Sequence, residues 1–139
     1  MVFQRTITAL ALFASMVIAG STLSANPVDN NIHEKACTIT SGNYNVTLNI
    51  EPKPVQHMKE LTFSVTVKPC DKLPDTLQLD LSMPGMEMGK NQVTLIKKSG
   101  GLYEGKGIIV RCMSGRTLWR ATIISDELKN PAFTFNVRE

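Results

Sequence analysis

The sequence predicts an all-β domain, an immunoglobulin-like antiparallel β-sandwich of about seven strands. Three observations predict it. Short segments alternate apolar and polar residues with period two, turn residues separate them, and past residue 25 nothing keeps a helical period for three turns.

The chain opens on a segment that reads as an address. Met1 to Arg5 carries one positive charge, Thr6 to Gly20 is apolar and uncharged, and Ser21 to Ala25 is small and ends on Ala. That order is the order of a secretory signal peptide, with cleavage expected between Ala25 and Asn26. An uncleaved anchor is the alternative, because Thr6 to Leu23 is 18 residues and a bilayer span takes roughly 20. The Ser/Thr-rich end favours cleavage. Asn26 to Lys35 is polar, with Pro27 and three Asn, and reads as a flexible leader, so the domain is placed at 36–139.

Within it the alternation is explicit. Tyr44, Val46, Leu48 and Ile50 share one face, as do Leu61, Phe63, Val65 and Val67, and then Leu77, Leu79 and Leu81. Each set predicts a strand with one face in a core and one in water. Val93 with Leu95, the runs Leu102 to Cys112 and Leu118 to Ile124, and Phe133, Phe135 and Val137 supply four more. Pro52, Pro54, Pro69, Pro74, Pro84-Gly85, Gly100-Gly101, Ser114-Gly115 and Asn130-Pro131 mark the turns between them. About seven short strands in a hundred residues predict two packed sheets, with an open barrel as the alternative.

Charge excludes some partners. Without the signal segment 14 basic residues face 12 acidic ones, which leaves no electrostatic footprint for nucleic acid. No later stretch is long or apolar enough to span a bilayer as a helix, so a periplasmic or secreted protein without a membrane span is expected.

Antiparallel strands place alternate loops at the same end. The first loop (51–59) holds His57 and Met58, the third (82–91) holds Met83, Met86 and Met88, and the fifth (111–116) holds Cys112 and Met113. Every Met outside the signal segment therefore falls at one end. In Met83-Pro84-Gly85-Met86, Pro and Gly stand where a type II turn needs them, and Met88 follows at strand spacing on the side of Met86. Thioether and thiolate are soft ligands that favour Cu(I), and imidazole can complete such a set. Met83, Met86 and Met88 with His57 or Cys112 are thus the candidate metal ligands, His57 being preferred over the oxidisable thiol. The plainer alternative is a hydrophobic plug, since Met fills gaps well.

Three cysteines in an oxidising compartment leave one over. Cys37 precedes the first predicted strand and Cys70 lies in the second loop, both away from the Met-rich end. A Cys37–Cys70 disulfide is expected, with Cys112 left as a thiol. Such a link would contribute about 3–4 kcal/mol through its 32-residue loop.

Two stretches, LSMPGMEMGKN and GLYEGKGIIVRCMSGRTLWRATI, make the region Leu61 to Ile124 similar to the YtkA-like periplasmic domains, relatives of the FixH-like proteins. The resemblance implies an immunoglobulin-like sandwich in the cell envelope and, for the FixH-like branch, a link to copper supply for terminal oxidases. That branch usually keeps a membrane anchor.

Two functions are therefore carried forward. One is a Cu(I)-binding or Cu(I)-delivering protein with a copper-accepting partner. The other is a non-catalytic interaction module of the envelope, using exposed Met and Trp. An enzyme is not expected, because no Ser-His-acid set, phosphate-binding Gly loop or paired carboxylate stands out.

Overall fold

Residues 30–139 are described by a computed structural model; the expected signal peptide and residues 26–29 lie outside the described residues. The alternation becomes eight strands: β1 (Cys37–Ser41), β2 (Tyr44–Glu51), β3 (Glu60–Lys68), β4 (Thr76–Ser82), β5 (Gln92–Ser99), β6 (Leu102–Ile108), β7 (Leu118–Ile124) and β8 (Ala132–Asn136). All belong to one antiparallel sheet in the order β1-β2-β3-β6-β5-β4-β7-β8, and no helix occurs among the described residues. The sheet curls until it is nearly closed, and its inward faces share one core from Val46 and Phe63 to Trp119 and Phe135.

This departs from seven strands in two separate sheets. The added strand, β1, forms a hairpin with β2 around Gly42, which sits at φ 59 in a two-residue turn. The curl depends on close approach of β5 to β6. A Cβ on Gly107 would stand 2.4 Å from a Val93 methyl, and one on Gly105 would stand 2.3 Å from the Thr94 carbonyl oxygen. Side chains at either position would push the two strands apart.

The gap between the edge strands β1 and β8 is bridged by residues 30–36, most of which had been expected to be a flexible leader. Ile32 is completely buried. The Asn30 amide donates to the Thr134 carbonyl at 2.8 Å. His33 uses both ring nitrogens: Nδ1 accepts the Val55 amide at 3.0 Å, so Nε2–H donates to the Asn136 carbonyl at 2.8 Å. One apolar anchor and a satisfied imidazole thus fix this segment from residue 30 onward.

The Cys37–Cys70 disulfide is not formed, nor is any other among the described residues. The unforeseen strand is the reason. β1 runs opposite to β2, so Cys37 pairs with Leu48, which in turn pairs with Val65. Cys37 is thus two strand spacings from β3, about 10 Å across the sheet, and Cys70 lies past the end of β3 at Lys68, a further roughly 10 Å along it, whereas bridged Cα atoms stand about 4–7 Å apart.

Loop parity survives the extra strand, because β1 precedes the others. Glu60 at the start of β3 pairs with Ile108 at the end of β6, and Ser82 at the end of β4 pairs with Arg120 in β7. Residues 52–59, 83–91 and 109–117 therefore meet at one end of the sheet. A groove of about 660 Å³ at the opposite end, lined by Lys72, Gln78, Asp126 and Glu127 among others, contains none of the candidate ligands.

Candidate soft-metal site

Two β-turns face each other at the sulfur-bearing end. In the first, the Met86 amide donates to the Met83 carbonyl at 3.1 Å and Gly85 takes φ 78, the geometry expected of Met-Pro-Gly-Met. In the second, the Gly115 amide donates to the Cys112 carbonyl at 3.1 Å, with Gly115 at φ 74.

Between the turns, Cys112 Sγ lies 3.8 Å from Met86 Sδ. Ser114 Oγ stands 2.9 Å from Cys112 Sγ and 3.9 Å from Met86 Sδ, so a hydroxyl serves both sulfurs. The hydrogen bond from the Ser114 side chain lowers the Cys112 thiol pKa most, the Ser114 backbone adds to it, and the Arg116 charge contributes less. A guanidinium nitrogen of Arg116 also lies over the first turn, 3.9 Å from where a Gly85 side chain would begin. The surroundings favour thiolate, the form that binds metals.

The methionines divide. Met83 continues the inward alternation of Leu79 and Leu81 and is 2% exposed, so it belongs to the core and anchors the turn. Met86 and Met88 are half-buried and alternate with exposed Gly85, Glu87 and Gly89, which puts the two on one side as their spacing predicted. Cys112 is half-buried and packs against the edge of the core, whereas Ile108 and Val110 before it are exposed, so its thiol is only partly covered.

His57 reaches this end, but its lone pair is engaged. The indole N–H of the buried Trp119 donates to His57 Nε2 at 3.3 Å, the rings lying 6.4 Å apart and tilted by 59°. An indole nitrogen can only donate, so in neutral imidazole the ring proton sits on Nδ1. Nδ1 is buried and has no partner among the described residues. Burial lowers the His57 pKa, the nearby Arg111 charge lowers it further, and Glu139 partly opposes them. The neutral ring thus offers no free lone pair to a metal unless it first releases Trp119. That weakens the earlier preference for His57 over Cys112 as the completing ligand.

Sequence reasoning missed two members of this constellation. Ser114 was visible only as part of a Cys-x-Ser-Gly turn, without its contact to the thiol. Trp119 is expected on an exposed contact surface, but it is completely buried, and the histidine that accepts its N–H hydrogen bond lies 62 positions away.

No group of three or more His, Cys, Asp or Glu residues suited to a metal occurs among the described residues; the soft site consists chiefly of thioethers. No family model, curated protein or solved structure matches the chain.

Proposed function

We propose that this chain is an exported, non-catalytic domain of the YtkA-like and FixH-like kind that holds Cu(I) as cargo at its sulfur-bearing end. From there it would pass the ion to a copper-accepting partner in the envelope. The observation that carries the reading is the 3.8 Å approach of Cys112 Sγ to Met86 Sδ across two facing turns, with Met88 on the same side as Met86. A thiolate with one or two thioethers is a donor set that prefers Cu(I) to harder ions. Met86, Met88 and Cys112 are the ligands in this reading. Met83 fixes the turn from the core, and His57 supports Trp119.

An immunoglobulin-like ancestry is consistent with the strand order. With β2 taken as strand A, the order β2-β3-β6-β5 followed by β4-β7-β8 reads A-B-E-D and then C-F-G. On this reading β1 is an addition, and the β4–β5 pairing joins the two layers.

The test is the Met86→Leu, Met88→Leu double variant, which conserves volume and apolarity and should cost less than about 1.5 kcal/mol of stability. Cu(I) affinity, measured by competition with a chromogenic chelator, should fall at least about tenfold, or about 1.4 kcal/mol. Unchanged affinity would remove the copper reading. It would leave the interaction module, which the exposure of Met58, Ile108 and Val110 near this end favours.

A further inference from the structure

Met113 occupies the apex of the Cys112–Gly115 turn and is 101% exposed, so its side chain has no packing partner among the described residues. Its neighbours in sequence do the reverse. Cys112 lies beside Met86, and Ser114 reaches both sulfurs. A fully exposed thioether next to an engaged thiol has no stabilising role in the fold, because burying it is what would stabilise.

We infer that Met113 is the exchange ligand of this site, the sulfur through which Cu(I) enters and leaves. The inference rests on the Cu(I) reading above. Consecutive Cα atoms are about 3.8 Å apart, and three rotatable bonds let the Met113 thioether swing over the Cys112 sulfur without moving the backbone. Exposed rotamers interconvert on a picosecond-to-nanosecond scale, far faster than a bound ion leaves. Met113 Sδ would take Cu(I) from solution first. Bonds to Cys112 and Met86 then form, the thiol giving its proton to solvent. On release the bonds to Cys112 and Met86 break, the thiolate taking a proton back from solvent, while an acceptor ligand bonds to the ion still held by Met113, and the Met113 bond breaks last. Copper stays Cu(I) throughout, and no electron is transferred.

A ligand used only in passage lowers the barriers to entry and exit alike, so it changes rates without changing affinity. Met113→Leu tests this directly, since an unpacked side chain can be exchanged without disturbing the fold. Met58→Leu is the control: Met58 is another exposed thioether near this end, 62% exposed, but it is not adjacent to the thiol. Transfer of Cu(I) from preloaded protein to excess chromogenic chelator should slow at least about fivefold in Met113→Leu, with equilibrium affinity within about twofold of the parent. Met58→Leu should transfer at the parental rate. Anaerobic addition of Cu(I) to protein labelled in its methionine methyl groups should shift the signals of the resident ligands Met86 and Met88 at equilibrium and move that of Met113 far less. Parental transfer rates in Met113→Leu, or a Met113 signal that moves as far as those of Met86 and Met88 and so marks a resident ligand, would overturn the inference and leave the Cu(I) site intact. If neither the Met86 nor the Met88 signal moves, the copper reading itself has failed and this inference falls with it.

Discussion

The seam that closes the sheet and the end that carries the sulfur each contain one of the protein's described histidines, and they use it in opposite ways. At the seam, His33 has both nitrogens matched to backbone groups, with the completely buried Ile32 one residue away. At the sulfur end, His57 gives Nε2 to Trp119 and leaves Nδ1 buried without a partner among the described residues. The seam thus resembles ordinary folded structure, in which buried polar groups are paired. The other end keeps a polar atom, two partly covered thioethers and a thiol with capacity to spare. The buried Nδ2 of Asn91, in the loop that carries Met86 and Met88, likewise has no partner among the described residues.

The largest effect that would sharpen this contrast comes from the seam. Ile32→Ala should cost about 2–5 kcal/mol in denaturant unfolding, the usual range for truncating a large aliphatic side chain in a core. Cu(I) affinity of the folded variant should stay at the parental value. A stability loss well under 1 kcal/mol would return this segment to the status of a leader, and a parallel loss of copper binding would erase the separation between the two regions.

His57→Ala is the next largest. Removing the imidazole leaves the buried Trp119 N–H without an acceptor, which typically costs about 1–3 kcal/mol. Because the ring's lone pair already faces Trp119, Cu(I) affinity should change less than about threefold, under 1 kcal/mol. A loss of tenfold or more would make His57 a ligand after all, and would require the Trp119 hydrogen bond to open when copper binds.

Much of this was legible in sequence, for physical reasons that differ between regions. β2, β3 and β4 alternate so strictly that face and approximate extent follow from period two alone, and parity then gathers the sulfur at one end. β1 was not legible because only Cys37 and Ile39 mark its inward face. That one missed strand also misplaced Cys37 and produced the disulfide expectation. The seam was hidden for another reason. Ile32 stands alone among polar residues, and the partners of its segment lie about twenty positions away at Lys53 and Val55 and about a hundred away in β8. The curl into a single sheet rests on Gly105 and Gly107, whose missing side chains remove the signal that alternation needs. At the candidate site, Met86 and Met88 could be placed on one side from spacing alone. The contact to Cys112 and the engagement of His57 by Trp119 are tertiary facts that no local pattern contains.

The smallest effect tests the same two-histidine contrast through pH. Burial is the chief cause that lowers the His57 pKa in the folded protein, Arg111 adds to it, and Glu139 on the facing C-terminal segment acts against both. In the unfolded chain an imidazole titrates near about 6.5. Below that pH the unfolded state takes up a proton that the folded state resists, so the unfolded state binds more protons and stability falls as pH falls. The contribution is therefore complete above the unfolded value and is lost progressively as pH drops through the depressed folded one. Protonation would also remove the lone pair that receives the Trp119 N–H, which is the same loss approached from the solvent side. Melting temperature followed from neutral pH into the acid range should decline in the parent more steeply than in His57→Gln, whose side-chain oxygen can accept the indole proton without titrating. If both proteins decline with the same slope, His57 is not the group responsible, and the proposed cost of charging it at this end of the sheet is wrong.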